Sequence, residues 1–428
     1  MRRRLAIVGA GWAGMTAAVR AVQVGFDVTV FEMSHQPGGR ARTLGGSLPA
    51  LDNGQHILIG AYSRTLALMN DVGADASTLL HRMPLALRFP DGAGLSLPPG
   101  SPVWSVVRGI AGFAGLGLTE RLSLMRHALT WAAHGFKCSQ TLTVDAVCAG
   151  LAPRVRQYLI DPLCVAAMNT PASEASASVF LRVLHDAVLG GRGSADLLLP
   201  RRPLSELLPQ PAWRWLGQHG AALRPGQRVQ SLIRDGVAWR VDSENFDAVV
   251  LACTSLEAAR LAQDVAPDWA QVAAALRFEP IVTVYAQADG ARLPMPVTAL
   301  RDGPHAPAQF VFDLGQLGAT PGHFACVVSG ARQWVDAGLQ TTGSAVLTQL
   351  HHAFAAGTWP QPPTLLRTVA EKRATFLCTP SLQRPSAQLA LALVAAGDFI
   401  EGPYPATLEG AVRSGERAVA LLGETASS

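Results

Sequence analysis

The sequence predicts an α/β fold in which a parallel, nucleotide-binding sheet is interrupted twice by other structure. Three observations lead there. The chain opens on strand, glycine-rich turn, helix and strand within its first 32 residues. Buried-strand patterns of the same kind return only at 246–252 and at 391–398. Between these pieces the alternation of strand and helix is lost.

The opening is a βαβ pattern. Leu5–Val8 is a short apolar run, Gly9-Ala10-Gly11-Trp12-Ala13-Gly14 follows, and an Ala-rich helical stretch reaches Val24. Gly25 ends that helix, and Asp27–Glu32 reads as the second strand. A GxGxxG alone is a weak signal, because glycines recur in many turns. A strand before it, a helix after it and an acidic residue, Glu32, closing the second strand make it a dinucleotide site. Gly9 permits the tight turn, Gly11 lets the backbone approach a pyrophosphate, and Gly14 lets helix pack on strand. The helix start at Trp12 and Ala13 offers amides and a positive dipole to the phosphates. Glu32 would accept hydrogen bonds from ribose hydroxyls and repel a 2′-phosphate.

From about 80 to 210 the pattern is longer helices and many prolines. Strand signals return at Gln227–Ile233 and Ala238–Val241, with Asp235-Gly236 as the hairpin turn. Phe246–Ala252 reads as one buried parallel strand. Between 280 and 375 a mixed sheet is expected, with Ile281–Ala286, Gln309–Phe312 and Phe324–Ser329 as strands. Leu391–Asp398 is a last apolar strand, Thr407–Leu422 a closing helix, and Glu424–Ser428 a frayed tail. Residues 1–80, 211–270 and 385–428 therefore form one discontinuous, Rossmann-like nucleotide-binding domain. Residues 81–210 and 271–384 form an inserted α+β substrate domain.

Composition narrows the class of function. Hydrophobic residues are 49 % of the 428 and charged ones 15 %, so a large core is easily built. The net charge is only +4 and just two of the basic residues are lysines, which argues against a nucleic-acid arm. The six cysteines are dispersed, with no CxxC pair, so neither zinc nor a disulfide framework is expected and a reducing cytoplasm fits. No run approaches the roughly 18 apolar residues of a membrane span. The positive mean hydropathy, +0.22, instead suggests an apolar substrate tunnel or a membrane-facing patch. Leu118–Phe136 carries Leu122, Met125, Leu129 and Trp131 at helical spacing beside Arg121, Arg126, His127 and Lys137. That composition suits an interfacial helix or an ordinary core helix equally.

Pro37-Gly38-Gly39-Arg40-Ala41-Arg42 follows Glu32 closely, with flexible backbone and guanidiniums suited to a diphosphate. With this segment the chain resembles the FAD-dependent amine oxidase and phytoene desaturase superfamily. Residues 227–252 are similar to that superfamily's hairpin and third nucleotide-fold strand, which implies an adenine contact at Val229. Gly397-Asp398 and Tyr404–Ala411 resemble its C-terminal flavin motif, with Asp398 on the ribityl or pyrophosphate region and Thr407-Leu408 at the flavin edge. The resemblance implies non-covalent FAD held by Gly39, Arg40, Arg42, Gly54, Gln55 and His56 as well.

Within that superfamily, Leu51-Asp52-Asn53-Gly54-Gln55-His56 with Gly60-Ala61-Tyr62 resembles the hydroxysqualene dehydroxylases. So do Asp161–Cys164 through Asn169–Pro171, Glu371–Phe376 and Tyr404–Gly410. The likeness implies replacement of the hydroxyl of an apolar C30 isoprenoid by hydride. No second glycine fingerprint sits in a strand–turn–helix setting, so a separate electron donor is expected. A substrate that lives in the bilayer implies peripheral contact with the inner membrane from the cytoplasmic side. A polyprenoid desaturase and a non-catalytic FAD protein stand as alternatives. Amine oxidation is disfavoured, because the strand Ile281–Ala286 holds no lysine and Thr407 replaces an aromatic. Losing hydroxide needs a proton donor, and the likeness puts Asp52–His56 near the flavin. His56 is therefore the expected acid, with Asp52 orienting it and Glu409 or Tyr404 as substitutes. Each of these also has a purely structural use open to it, and Lys372 and Arg373 are either site residues or strand-end charges.

Overall fold

The computed structural model describes residues 2–45, 50–355 and 357–424. Of the expected tail, Glu424 is the last residue of the closing helix and 425–428 lie outside the described residues. Arg4–Val8 forms the first strand, with Leu5 to Val8 buried on both faces as a central parallel strand requires. Strand Asp27–Glu32 pairs with it on one side and Ala248–Leu251 on the other, both parallel. Ala222–Pro225 and Leu393–Ala395 extend the sheet outward, and Gln388–Ala390 adds an antiparallel edge. Strands from three distant stretches of sequence thus share one six-stranded sheet.

Helix Trp12–Gln23 leaves the first strand through Gly9, whose φ of +109° no β-branched residue would tolerate. A Cβ on Gly14 would stand 1.9 Å from the Gly9 carbonyl, so only glycine permits this descent of helix onto turn. The closing helix Leu408–Glu424 crosses the first helix equally closely. A Cβ on Gly415 would lie 2.5 Å from the Ala13 carbonyl. The first turns of the first helix are thereby pressed against the middle of the closing helix.

Several boundaries differ from the expected ones. The hairpin is present, but its first strand is Leu232–Asp235 and its turn is Gly236-Val237. Phe246–Ala252 is two strands: Glu244–Phe246 joins the hairpin, Ala248–Leu251 joins the parallel sheet, and Asp247 between them accepts from the Arg4 amide at 2.7 Å. The last apolar strand is only Leu393–Ala395.

The stretch 80–210 is not purely helical. Leu80–Met83 and Leu197–Pro200 pair with each other, and Leu58–Ile59 adds a third strand. Ala86–Arg88 pairs with Gly94–Ser96. Helices Pro102–Ala111, Leu118–Ala133, Asp161–Met168 and Ala177–Leu189 supply the rest. Trp131, expected on an interfacial face, is buried.

A five-stranded antiparallel sheet follows, in the order Val297–Ala299, Phe310–Asp313, His323–Val328, Phe278–Gln287, Thr364–Phe376. Its strands alternate. Val282, Val284, Phe324 and Cys326 face a separate core closed by helix Leu339–Ala353. Thr283, Tyr285, Ala325 and Val327 point the other way, and Tyr285 donates from its hydroxyl to the Asp52 carbonyl. Asn169, left-handed at the end of helix Asp161–Met168, fastens the helical part to this sheet. Its Nδ2 donates to Thr375 Oγ1 at 2.9 Å, and its Oδ1 accepts from the Gly330 amide at 2.7 Å.

Candidate active site

The glycine turn and the Gly38-Gly39-Arg40 turn form one continuous backbone surface. Gly38 N donates to the Ala10 carbonyl at 2.8 Å, and Gly11 bridges Gly38 in parallel fashion. A Cβ on Gly11 would meet nothing nearer than the Gly39 Cα at 4.0 Å. No side chain stands in that groove, while the first-turn amides of Trp12, Ala13 and Gly14 have no intrahelical acceptor. Backbone donors beside an open glycine cradle suit a pyrophosphate. Glu32 is buried at its rim, its two oxygens accepting from the Ala10 and Ser34 amides at 2.7 Å each. A carboxylate keeps further lone pairs for ribose hydroxyls. The segment after strand Ala222–Pro225 is hydrogen-bonded to this corner, Gly226 N to the Ser34 carbonyl and Gln227 N to the Glu32 carbonyl. That brings buried Val229 alongside.

Arg40 carries the link to the far end of the chain. Its Nη2 donates to Asp398 Oδ1 at 2.5 Å and its Nη1 to the Ala374 carbonyl at 2.8 Å. Asp398, next to Gly397, is buried, and the Asp398 charge raises the Arg40 pKa against the opposing effect of burial. Arg42 folds back on its own turn, donating to the Gly39 carbonyl at 2.5 Å. Asn53 ties the arrangement together, with Nδ2 donating to the Arg40 carbonyl and to Glu371 Oε2. Lys372 and Arg373 are exposed and lie within the long strand rather than at its end.

His56 and Gln55 are half-buried beside Gly54. His56 Nδ1 lies 3.1 Å from the Gly54 carbonyl, an arrangement in which Nδ1–H donates and Nε2 is left to exchange a proton. Burial, and then the nearby Arg40 charge, lower the His56 pKa. Asp52 does not orient it. The Asp52 Oδ1 accepts from Thr43 Oγ1 at 2.8 Å and from the Leu204 amide at 3.0 Å, fastening the loop to residues 204–205. Burial pushes its carboxyl up to about 6.

The C-terminal residues divide in the same way. Glu409 is fully buried, and its carboxylate accepts from the Arg64 and Thr65 amides, the Thr65 hydroxyl and Arg413 Nε. It caps helix Ser63–Asp71 against the closing helix, and so saturated a carboxylate is a poor proton donor. Thr407 caps the closing helix, its Oγ1 accepting from the Gly410 amide at 3.0 Å, and half-buried Leu408 begins it. Just before, Tyr404 and Ala406 both hold left-handed φ, at +58° and +57°. Strain of this kind in two non-glycine residues gathers at functional sites. The buried Tyr404 ring meets Tyr62 edge-on at 6.0 Å, and its hydroxyl donates to Asp186, which also holds His185 and Arg182. Burial and the Asp186 carboxylate push Tyr404 up to about 12.

Sequence reading missed Asp186 and Thr283, which sit in no spaced motif, and gave Asn53 no role although it lies within the Leu51–His56 segment. Thr283 is buried with its hydroxyl unpartnered among the described residues, 3.7 Å from where a Gly54 Cβ would stand. The cysteines are all free thiols, and burial holds Cys148, Cys164, Cys253, Cys326 and Cys378 up at about 12.

Comparison with known proteins agrees with this geometry. Hydroxysqualene dehydroxylases of Rhodopseudomonas palustris and Sinorhizobium fredii are each 27 % identical, covering 99 % of this chain and 99 % and 100 % of their own. A zeta-carotene desaturase of Synechocystis matches at 39 % over only 17 % of the chain. Among solved structures, an oxidoreductase from Methanosarcina mazei superposes with TM-score 0.73 at 17 % identity, covering 98 % of this chain and all of that one. Cyclohexylamine oxidase from Brevibacterium oxydans gives 0.70 at 17 %, with both chains covered in full. Residues 12–422 match the family described as flavin containing amine oxidoreductase, so the chain belongs to that family and is an FAD-dependent oxidoreductase.

Proposed function

We propose that the protein reductively removes the hydroxyl of hydroxysqualene to give squalene. The observation that carries this reading is the end-to-end likeness to hydroxysqualene dehydroxylases, which includes both the FAD cradle and the helical part. Likeness to carotene desaturases extends over a small part of the chain. A C30 hydrocarbon needs no charged contacts, since burial contributes roughly 0.8 kcal/mol per CH2.

Bound in reduced form at the Gly11–Gly39 cradle, FAD would supply the hydride. The chain's own residues have two tasks. The first is to fix the cofactor: Glu32 at the ribose, Arg40 and Asp398 at the pyrophosphate and ribityl region, Val229 at the adenine. The second is to deliver one proton to the departing oxygen, so that alcohol, hydride and proton yield hydrocarbon and water. His56 is placed for it, with Nδ1 engaged by Gly54 and Nε2 free to donate. With a single dinucleotide fingerprint in the chain, a separate donor reduces the flavin. The decisive experiment incubates the photoreduced protein with hydroxysqualene anaerobically and analyses the extracted lipid. Squalene should form in step with flavin reoxidation. Unchanged hydroxysqualene would remove this reading, and conjugated polyene formed by the oxidised protein would favour desaturation.

A further inference from the structure

Helices Pro102–Ala111 and Leu118–Ala133 lie side by side on the surface. Each buries one side, Gly109 and Ile110 on the first, Leu124 and Trp131 on the second. On an ordinary amphipathic helix the opposite side is polar. Here it is apolar. Leu118, Leu122 and Leu129 are 72 %, 60 % and 62 % exposed, and with half-buried Met125 they span about 60° of the helix circumference at 3.6 residues per turn. Val103 and Trp104, 51 % and 63 % exposed, project from the neighbouring helix.

The charge around this face is one-sided. Residues 101–137 hold four basic side chains, Arg108, Arg121, Arg126 and Lys137, against the single acid Glu120. Three of the chain's four net positive charges therefore fall in this short stretch. Glu120 is committed to the Gly117 amide, and Arg121 to the Ala111 carbonyl, which braces the two helices. Arg108, Arg126 and Lys137 form no ion pair among the described residues.

We propose that this two-helix face docks on an anionic lipid bilayer. The leucine stripe enters the headgroup–acyl boundary, Trp104 sits at the interface, and the basic residues meet lipid phosphates. Beside Trp104, at the start of Pro102–Ala111, opens a cleft of about 470 Å³ walled by Pro84, Leu97, Pro99 and Val106 on one side and by Arg192, Ser194 and Asp196 on another. Along its proline and Val106 side it offers a bilayer-borne chain a way off the membrane. That role of the cleft rests on the hydroxysqualene reading, whereas the docking itself does not.

The test is co-sedimentation of the full-length FAD-loaded protein with phosphatidylcholine vesicles containing or lacking 30 mol % (about a third) phosphatidylglycerol. Wild type should bind the anionic vesicles and be released by about 0.5 M salt, within reach of strong screening. The triple variant Leu118→Ser, Leu122→Ser, Leu129→Ser, altered only at exposed positions, should bind roughly tenfold more weakly. Arg108→Glu with Arg126→Glu should abolish the preference for anionic lipid. Wild type remaining in the supernatant at low salt overturns the proposal, and so does a triple variant that binds as well as wild type. Gel filtration covers the rival occupant: a dimer that the triple variant dissociates, with vesicle binding unchanged, makes the stripe a subunit interface. No outcome depends on turnover, so failure here is separable from failure of the substrate assignment.

Discussion

The Arg40 guanidinium donates to the Asp398 carboxylate at 2.5 Å across 358 positions of sequence, joining the turn after the second strand to the turn before the closing helix. Both residues are proposed to hold FAD, and each is the other's counter-charge. The pair is partly open, with Arg40 about one-third exposed, so its own stabilisation of the fold is modest.

Replacement of Asp398 should therefore act on the cofactor more than on folding. Asp398→Ala should retain FAD roughly 10- to 100-fold less tightly, the worth of hydrogen bonds to a charged group. Arg40→Ala should resemble it, and the double variant should be little worse than the poorer single one, because both remove one linked unit. Flavin absorbance per chain after desalting reads the effect. Heat denaturation should release intact FAD from wild type. Flavin staying with the denatured chain would contradict non-covalent binding.

Two glycines of the same fingerprint should behave differently. At Gly11 an added side chain finds no protein atom closer than 4.0 Å, so Gly11→Val should fold normally and fail to hold FAD. At Gly14 the first added carbon would be 1.9 Å from the Gly9 carbonyl. Gly14→Val should therefore lose expression or folding before binding is in question. Circular dichroism and flavin content together separate the cases. A flavin-loaded Gly11→Val would show that the pyrophosphate lies elsewhere.

How far the sequence could be read follows from where the physics is local. The strand–turn–helix opening needs only near neighbours: four apolar residues, three glycines and one acid, each with a single use. Glu32, Arg40 and Asp398 can be singled out as cofactor candidates because their motifs are short. What failed depends on distant partners. Thr364–Phe376, the longest strand, shows Arg367, Lys372 and Arg373 on its exposed parts and pairs with Phe278–Gln287 about ninety positions away, so it has no clean alternation. The hairpin turn slipped by one residue because Asp235-Gly236 and Gly236-Val237 both use the same left-handed glycine. Asp52 and Glu409 looked catalytic since carboxylates near a cofactor often are. Their acceptor roles depend on Leu204 and Thr65, far away in sequence.

Asp52 gives a stability prediction with a definite sign. Its carboxyl titrates near 6 in the fold against 3.8 as the unperturbed value, raised chiefly by burial. A raised carboxyl stabilises the fold fully below the unfolded value and loses that contribution as pH rises through about 6. Asp52→Asn keeps an oxygen for both Thr43 and the Leu204 amide, because both bonds use Oδ1. Relative to wild type, the variant should gain on the order of 2–3 kcal/mol between pH 4 and 7, flavin content unchanged. Denaturant melts at the two pH values measure it. A difference between the proteins that stays flat with pH would mean that the Asp52 carboxyl titrates in the fold as it does in the unfolded chain.

The chemistry is tested at His56. Burial and Arg40 hold its pKa below the ordinary 6.5, so the imidazolium is a minor form at neutral pH and becomes scarcer as pH rises. An acid that must be protonated to work gives a turnover that falls with rising pH, with a midpoint on the acid side of 6.5. His56→Gln should keep FAD and fold, lose about 10²–10⁴-fold in turnover, and lose that descending limb as well. The second readout matters, because a merely structural His56 would lower the rate without changing the shape of the profile. The nearest substitute is Tyr404, buried and bonded to Asp186, but a hydroxyl raised to about 12 would give a limb far into the alkaline range. A His56→Gln protein of normal flavin content that dehydroxylates at the wild-type rate transfers the proton to Tyr404 or to water. Tyr404→Phe then separates the two, producing the loss only where Tyr404 is the donor.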